Sequence, residues 1–147
     1  MEIRELGPGD EAHLPRLDFD DPPQAQLSPA AAARFLADER THLWVAFDEG
    51  EPVGMLLAYE LLRRRGEETM VEVYELGVAS SHHRRGIGTA LWRALQARFP
   101  GAEAYVLTEE ANARARAFYA SVGLAGTGEP VAMLDGHLNG PGVRGVP

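Results

Sequence analysis

Hydrophobic positions follow two different rhythms along the chain, and the change falls after Val78. Before it, β-forming residues run in short stretches parted by turn residues. Glu2 to Leu6 reads as a first strand, with a turn at Gly7-Pro-Gly-Asp10 and a short helix ending near Leu17. His42 to Asp48 and Val53 to Leu62 read as the arms of a hairpin around Asp48-Glu-Gly-Glu-Pro52. Thr69 to Val78 alternates and predicts a third long strand, reached through the charged connection Arg63 to Glu68. Ser28-Pro29 predicts a helix start, with serine as cap and proline in the first helical position, running through alanines to about Glu39. Asp18 to Leu27, with three aspartates and Pro22-Pro23, predicts an irregular acidic loop. Beyond Val78 the period lengthens: Ile87, Leu91, Leu95 and Phe99 share one helical face that Pro100-Gly101 ends. Glu103 to Thr108 predicts a strand and Asn112 to about Ser121 a helix closed by Gly123. Glu129 to Leu134 reads as a last strand. Strands first, then strand–loop–helix–strand–helix, predict an α+β fold with a mixed sheet.

The 147 residues suit one domain, expected over residues 1–138, with a poorly ordered Gly- and Pro-rich tail over 139–147. The chain holds no cysteine and no lysine; all 14 basic residues are arginine. That excludes disulfides, thiolate nucleophiles, Schiff bases and a P-loop lysine. The five histidines show no ligand spacing, so no metal is expected. No apolar run approaches the length of a membrane span, and Met1-Glu-Ile-Arg-Glu lacks a signal peptide's apolar segment, so a cytoplasmic protein without a membrane partner is expected. The net charge of −8 is uneven: residues 1–75 carry 17 acidic residues against 7 arginines, and the remainder 5 against 7. An acidic first half suits a cationic small molecule and a mildly basic second half an anionic cofactor, though a solvated mixed surface accounts for the charge count equally well. The balance disfavours nucleic acid as a partner.

The most informative stretch is Glu75-Leu-Gly-Val-Ala-Ser-Ser-His-His-Arg-Arg-Gly-Ile-Gly-Thr-Ala-Leu91. A strand ends, a polar loop follows, and two glycines open a helix whose first N–H groups lack intrahelical partners and can bind an anion. Gly86 and Gly88 let a phosphate approach the backbone, and Arg84 and Arg85 add charge. The dinucleotide fingerprint fails because Leu91 occupies its third glycine position. A tight strand-to-helix turn explains the two glycines equally well.

Neighbouring residues decide between the two. His83-Arg-Arg-Gly86-Ile-Gly88 resembles motif A of the GCN5-related N-acetyltransferases, Gln/Arg-x-x-Gly-x-Gly/Ala, with histidine departing from the first position. Asn112-x-x-Ala115-x-x-Phe118-Tyr119, then Gly123-Leu124, resembles a second signature of that superfamily. Ala46-Phe-Asp, Val53-Gly-x-Leu-x-Ala-Tyr59, Tyr74-Glu-Leu-x-Val and His82 are similar to the type I aminoglycoside 3-N-acetyltransferases, which carry aspartate where this chain has Glu75. The resemblance implies a three-layer fold with a mostly antiparallel sheet flanked by helices, and acetyl-CoA as cofactor. The segment holding the cofactor would be Leu76, Gly77, Val78, His83, Arg84, Arg85, Gly86, Ile87, Gly88 and Thr89, with a contact from Asn112. It also implies a homodimer.

Acetyl transfer from a thioester to an amine needs a neutral amine, a donor for the oxyanion and a proton for the thiolate. An alkylammonium of pKa near 10.4 is neutral in only about 1 molecule in 2,500 at pH 7, so a base is useful. Glu75 and Glu72 are the candidates; three apart on a regular strand, they point to opposite faces unless a bulge intervenes. By resemblance Glu75 matches the acidic position of the aminoglycoside group and Glu72 the glutamate of the histone-acetylating branch. Tyr119 is the expected acid, a core aromatic beside Phe118 being the alternative. By resemblance the oxyanion donor is a backbone N–H near Leu76 to Val78. Asn112 is equally well a helix cap. Asp18, Asp20 and Asp21, with Glu75, form the expected site for a polycationic amine such as an aminoglycoside. A peptide N-terminus, a polyamine or another metabolite amine is the alternative acceptor, and a non-catalytic acyl-CoA-binding module the alternative role.

Overall fold

A computed structural model describes residues 1–22, 24–134 and 136–138. Five strands form one sheet in chain order: β1 (Glu2–Glu5), β2 (Thr41–Asp48), β3 (Glu51–Leu61), β4 (Met70–Val78) and β5 (Glu103–Val106). All neighbours are antiparallel except β4 and β5, which run parallel. Helix α1 (Pro29–Ala37) and a 3-10 turn (Glu11–Arg16) cover one face; α2 (Ile87–Arg98) and α3 (Ala113–Ser121) cover the other. The result is the mixed, mostly antiparallel sheet flanked by helices that the strand order predicts.

Two cores follow from the period-two alternation of the strands. Leu43, Val45, Phe47, Met55 and Leu57 face α1, whereas Trp44, Ala46, Leu56, Ala58, Val71 and Val73 face α2 and α3. Because both faces are covered, Leu43 to Phe47 is buried without a break, and the hairpin reads as apolar runs rather than strict alternation. Ser28 caps α1, its Oγ accepting from the Ala31 N–H at 3.2 Å. Ile87, Leu91, Trp92 and Leu95 form the buried stripe of α2. The N-terminus of α2 sits so close to the sheet that a Cβ on Gly54 of β3 would lie 2.8 Å from Ile87 Cγ2.

Two irregularities of β4 shape the site. Leu57 pairs with Glu75 but the next residue, Ala58, pairs with Val73, so Tyr74 is an extra residue, a β-bulge. Val73 and Leu76 therefore both face α2, while Glu72 and Glu75 both come to the α1 face, opposite Tyr59 and Leu57 respectively. The β4–β5 register then ends at Val73 opposite Val106, and the β5-side edge of residues 74–78 has no partner strand. Strand β5 accordingly stops at Val106, two residues short of the expected Thr108.

The expected strand over Glu129 to Leu134 does not form. Gly128 has φ +77°, Pro130 lacks an amide donor, and Val131, Met133 and Leu134 are 75–92% exposed. An apolar run without an alternating partner face cannot fix a strand there. The expected tail over 139–147 lies outside the described residues.

Candidate active site

The parting of β4 from β5 opens two adjoining cavities. One, of about 710 Å3, lies on the acidic-loop side and is lined by residues including Asp18, Phe19, Asp21, Phe35, Tyr74 and Glu75. The other, of about 650 Å3, lies over the start of α2 and is lined by residues including His83, Arg84, Gly86, Thr89 and Arg114. Asp21, Leu76, Gly77, Asn112, Ala115 and Tyr119 line both, so a ligand in either cavity meets the other at the unpaired stretch of β4.

The second cavity fits an anion. Gly86 caps α2 in the left-handed conformation, φ +76°, and offers no side-chain cap; the first hydrogen bond back into the helix comes from Ala90 N–H. The N–H groups of Ile87, Gly88 and Thr89 thus have no intrahelical partner and carry the positive end of the helix dipole. A Cβ on Gly86 would meet open space, so its need for glycine is its φ rather than crowding. Gly88 lines the cavity, and a Cβ there would also lie 3.2 Å from Phe118 Cε2, so its bare Cα lets α3 pack on α2. Arg84, from the loop before α2, and Arg114, from α3, both line this cavity and add positive charge.

The loop before α2 is braced by its histidines. His83 Nε2–H donates to the Val78 carbonyl at 2.8 Å. His82 Nε2–H donates to Asp48 at 3.1 Å, and its Nδ1 is hydrogen-bonded with Ser81 Oγ at 2.7 Å. Arg85, expected at the cofactor, reaches the same Asp48 carboxylate at 3.5 Å and lines neither cavity. Asp48 thereby ties the β2–β3 turn to the anion-binding loop. Its role and that of Arg114 were missed from sequence. For Arg114 the available signal was its place two residues past the Asn112 cap.

On the other side the bulge brings Glu75 into the first cavity, while Glu72, although on the same face, does not line it. Partial burial, then the carboxylates of Asp18 and Asp21, raise the Glu75 carboxyl above its ordinary range. Glu72 stands instead between two phenols, contributing to the raised pKa of Tyr105 and Tyr59 after their burial. Burial likewise raises the Tyr119 phenol, which stays protonated at neutral pH. Its ring packs edge-on against Phe118 (5.4 Å) and Trp92 (6.0 Å). Tyr119 therefore packs against the α2 core and also lines both cavities. Asn112 also lines both, and its Oδ1 caps α3 by accepting from Ala115 N–H at 3.0 Å. Asp20 lines neither cavity. Its carboxylate accepts from the Ser80 N–H and Oγ instead.

An amine-sized cleft with carboxylates on one side, an anion cradle on the other and a protonated phenol between them suits acyl transfer from an anionic carrier. No helix of the described residues is long and apolar enough to cross a membrane. No curated protein matches the sequence significantly. Among solved structures, the chain is similar to the aminoglycoside acetyltransferase HMB0005 from an uncultured soil metagenomic sample, with 28% identity, TM-score 0.78, and 94% and 98% of the two chains covered. The aminoglycoside acetyltransferase meta-AAC0020, also from uncultured soil and solved with sisomicin, shares the fold at 21% identity, TM-score 0.81, covering 94% and 96%. Aminoglycoside N-acetyltransferase AAC(6')-Iy, solved with CoA, does so at 18% identity, TM-score 0.71, covering 92% and 99%. The acetyltransferase (GNAT) family model matches residues 11–124, the stretch that holds the cleft, its bulged strand and its anion cradle, and the chain belongs to that acetyl-CoA-dependent family.

Proposed function

We propose that this enzyme transfers acetyl from acetyl-CoA to an amine of a polycationic small molecule, an aminoglycoside modified at its 3-amino group, and that one domain over residues 1–138 does so. The observation that carries the reading is the set of three carboxylates, Asp18, Asp21 and Glu75, lining the cavity that meets the anion cradle at Leu76, Gly77 and Tyr119. A single exposed ion pair is worth only ~0.2–1 kcal/mol, so several together are needed to select a polycation over a monoamine. The aminoglycoside acetyltransferases with the same fold support this acceptor, and the resemblance to the type I group supports the 3-amino position.

In this reading Arg84, Arg114 and the amides of Ile87, Gly88 and Thr89 hold the phosphates of the carrier. Acetyl-CoA supplies an activated thioester. Glu75, its proton affinity raised, takes the proton of the attacking ammonium. Unpaired N–H groups between Leu76 and Val78 receive the negative charge that develops on the thioester oxygen. Tyr119 protonates the departing sulfur. Thiol release from acetyl-CoA with gentamicin-type aminoglycosides, polyamines and N-terminal peptides tests the proposal, with the acetylated nitrogen located by NMR. Turnover of aminoglycosides at the 3-amino group is expected. Efficient acetylation of peptides with none of aminoglycosides would refute the acceptor.

A further inference from the structure

The acidic loop does not rest on the site by charge alone. Asp18 to Asp21 form a turn, the Asp21 N–H bonding the Asp18 carbonyl at 2.7 Å, with Phe19 in the left-handed region at φ +36°. The turn sends its ends and its middle to different places. Asp18 and Asp21 face the cavity that holds Glu75. Asp20 reaches past the end of β4, where its Oδ2 accepts the Ser80 N–H at 2.6 Å and its Oδ1 the Ser80 hydroxyl at 3.0 Å. Phe19 packs against Gly77; a Cβ there would meet its ring at 3.7 Å. The two contacts clamp the loop across the end of β4, sixty residues away in sequence, just before the anion-binding turn.

We infer that Asp20 is a positioning residue that acts through Ser80: it fastens the acidic loop so that Asp18 and Asp21 stand beside Glu75, and its own charge does not bind the acceptor. The inference rests on the cationic-acceptor reading for its consequence in catalysis, and on the loop geometry alone for its structural part. Charge and geometry separate cleanly at this position. In Asp20→Asn the amide oxygen still accepts the Ser80 N–H, and the amide nitrogen donates to the Ser80 hydroxyl, so the latch survives without the charge. In Asp20→Ala both bonds are lost. Ser80→Ala loses one.

Two readouts decide it. With an aminoglycoside acceptor, Asp20→Ala raises acceptor KM about tenfold, the equivalent of roughly 1.4 kcal/mol. Asp20→Asn stays near wild type, Ser80→Ala falls between, and the KM for acetyl-CoA moves less than the acceptor KM. Backbone hydrogen exchange over residues 18–22 quickens in Asp20→Ala and Ser80→Ala but not in Asp20→Asn. If Asp20→Asn raises acceptor KM as much as Asp20→Ala, Asp20 binds the acceptor by charge and the inference is overturned. It is equally overturned if Asp20→Ala leaves loop exchange unchanged. If the wild type acetylates no cationic amine, the acceptor reading fails, and the exchange measurements still decide the latch. Should Asp20→Ala fail to fold, Ser80→Ala carries the same comparison.

Discussion

Replacing Tyr119 with phenylalanine separates the two uses of this side chain. The ring contacts with Phe118 and Trp92 survive the change, since they involve carbon faces and edges. Tyr119 is half-buried and lines both cavities, so loss of its hydroxyl opens no void in the core. The stability cost should therefore be under ~0.5 kcal/mol, or about 2 °C in Tm for a domain of this size. The catalytic cost is larger. A positioned acid contributes typically ~10²–10⁴ in rate. A thiol of pKa near 8.5 leaves more easily than an alkoxide, so the low end applies: a fall in kcat of about 10², some 2.7 kcal/mol of barrier. The KM for acetyl-CoA should stay within about twofold, as for an interaction made only in the transition state. Continuous thiol release at saturating acceptor, alongside thermal unfolding of the same preparations, measures both. An unaltered kcat with a Tm lowered by several degrees would refute the acid role and leave Tyr119 as packing alone.

Gly88→Val is expected to lower Tm as well as weaken acetyl-CoA binding, because even a Cβ meets Phe118 at 3.2 Å. Overpacking costs about 1–3 kcal/mol, offset by less than ~0.5 kcal/mol of helix propensity, and a variant with unchanged Tm by calorimetry would show that α3 does not need this glycine. Glu75→Gln should abolish most activity yet stabilise the fold at neutral pH. The Glu75 carboxyl is raised, so the folded protein holds that proton more tightly than the unfolded chain, and the stability this confers is whole below the ordinary carboxylate range and lost as pH rises through the folded pKa. Above that range the raised carboxyl thus opposes folding relative to a neutral side chain; glutamine removes the cost, and the Tm gap between variant and wild type should close as pH falls below the ordinary carboxylate range. A variant less stable than wild type at pH 7 would refute this sign.

The elements that were legible in sequence are those fixed by local signals. Ser28-Pro29, the Gly86 turn, the stripe from Ile87 to Leu95 and the Gly123 cap each follow from capping or periodicity, and each forms where expected. The failures came where structure depends on a distant partner. Whether a stretch such as Glu129 to Leu134 becomes a strand depends on an edge to receive it, and nothing in its six residues reports that. The Gly88 signal was ambiguous for the same reason. A glycine kept for a phosphate and one kept for a phenylalanine thirty residues away look identical along the chain. Asp18, Asp20 and Asp21 looked interchangeable until the turn sent the middle one to Ser80.

The choice between Glu72 and Glu75 shows what one inserted residue does. Strand parity alone puts the two on opposite faces and offers each a different core. The extra residue at Tyr74 cancels that parity, so both glutamates reach the α1 face while Val73 and Leu76 keep the α2 core intact. Placing Glu72 and Glu75 on one face does not make them equivalent. Glu72 still lies within the β4–β5 ladder, opposite Tyr105, where the neighbouring strand closes the sheet. Glu75 lies beyond the last paired residue, where β5 has left and the cavity begins. The same departure that leaves Glu75 open also leaves residues 74–78 without a partner on their β5 side, while β3 still pairs with residues 75–78. Given the bulge, the opening beside the proposed base and the supply of unpaired backbone donors both follow from the end of β4–β5 pairing at Val73 and Val106. A substitution that extended β5 along β4 would take away both at once.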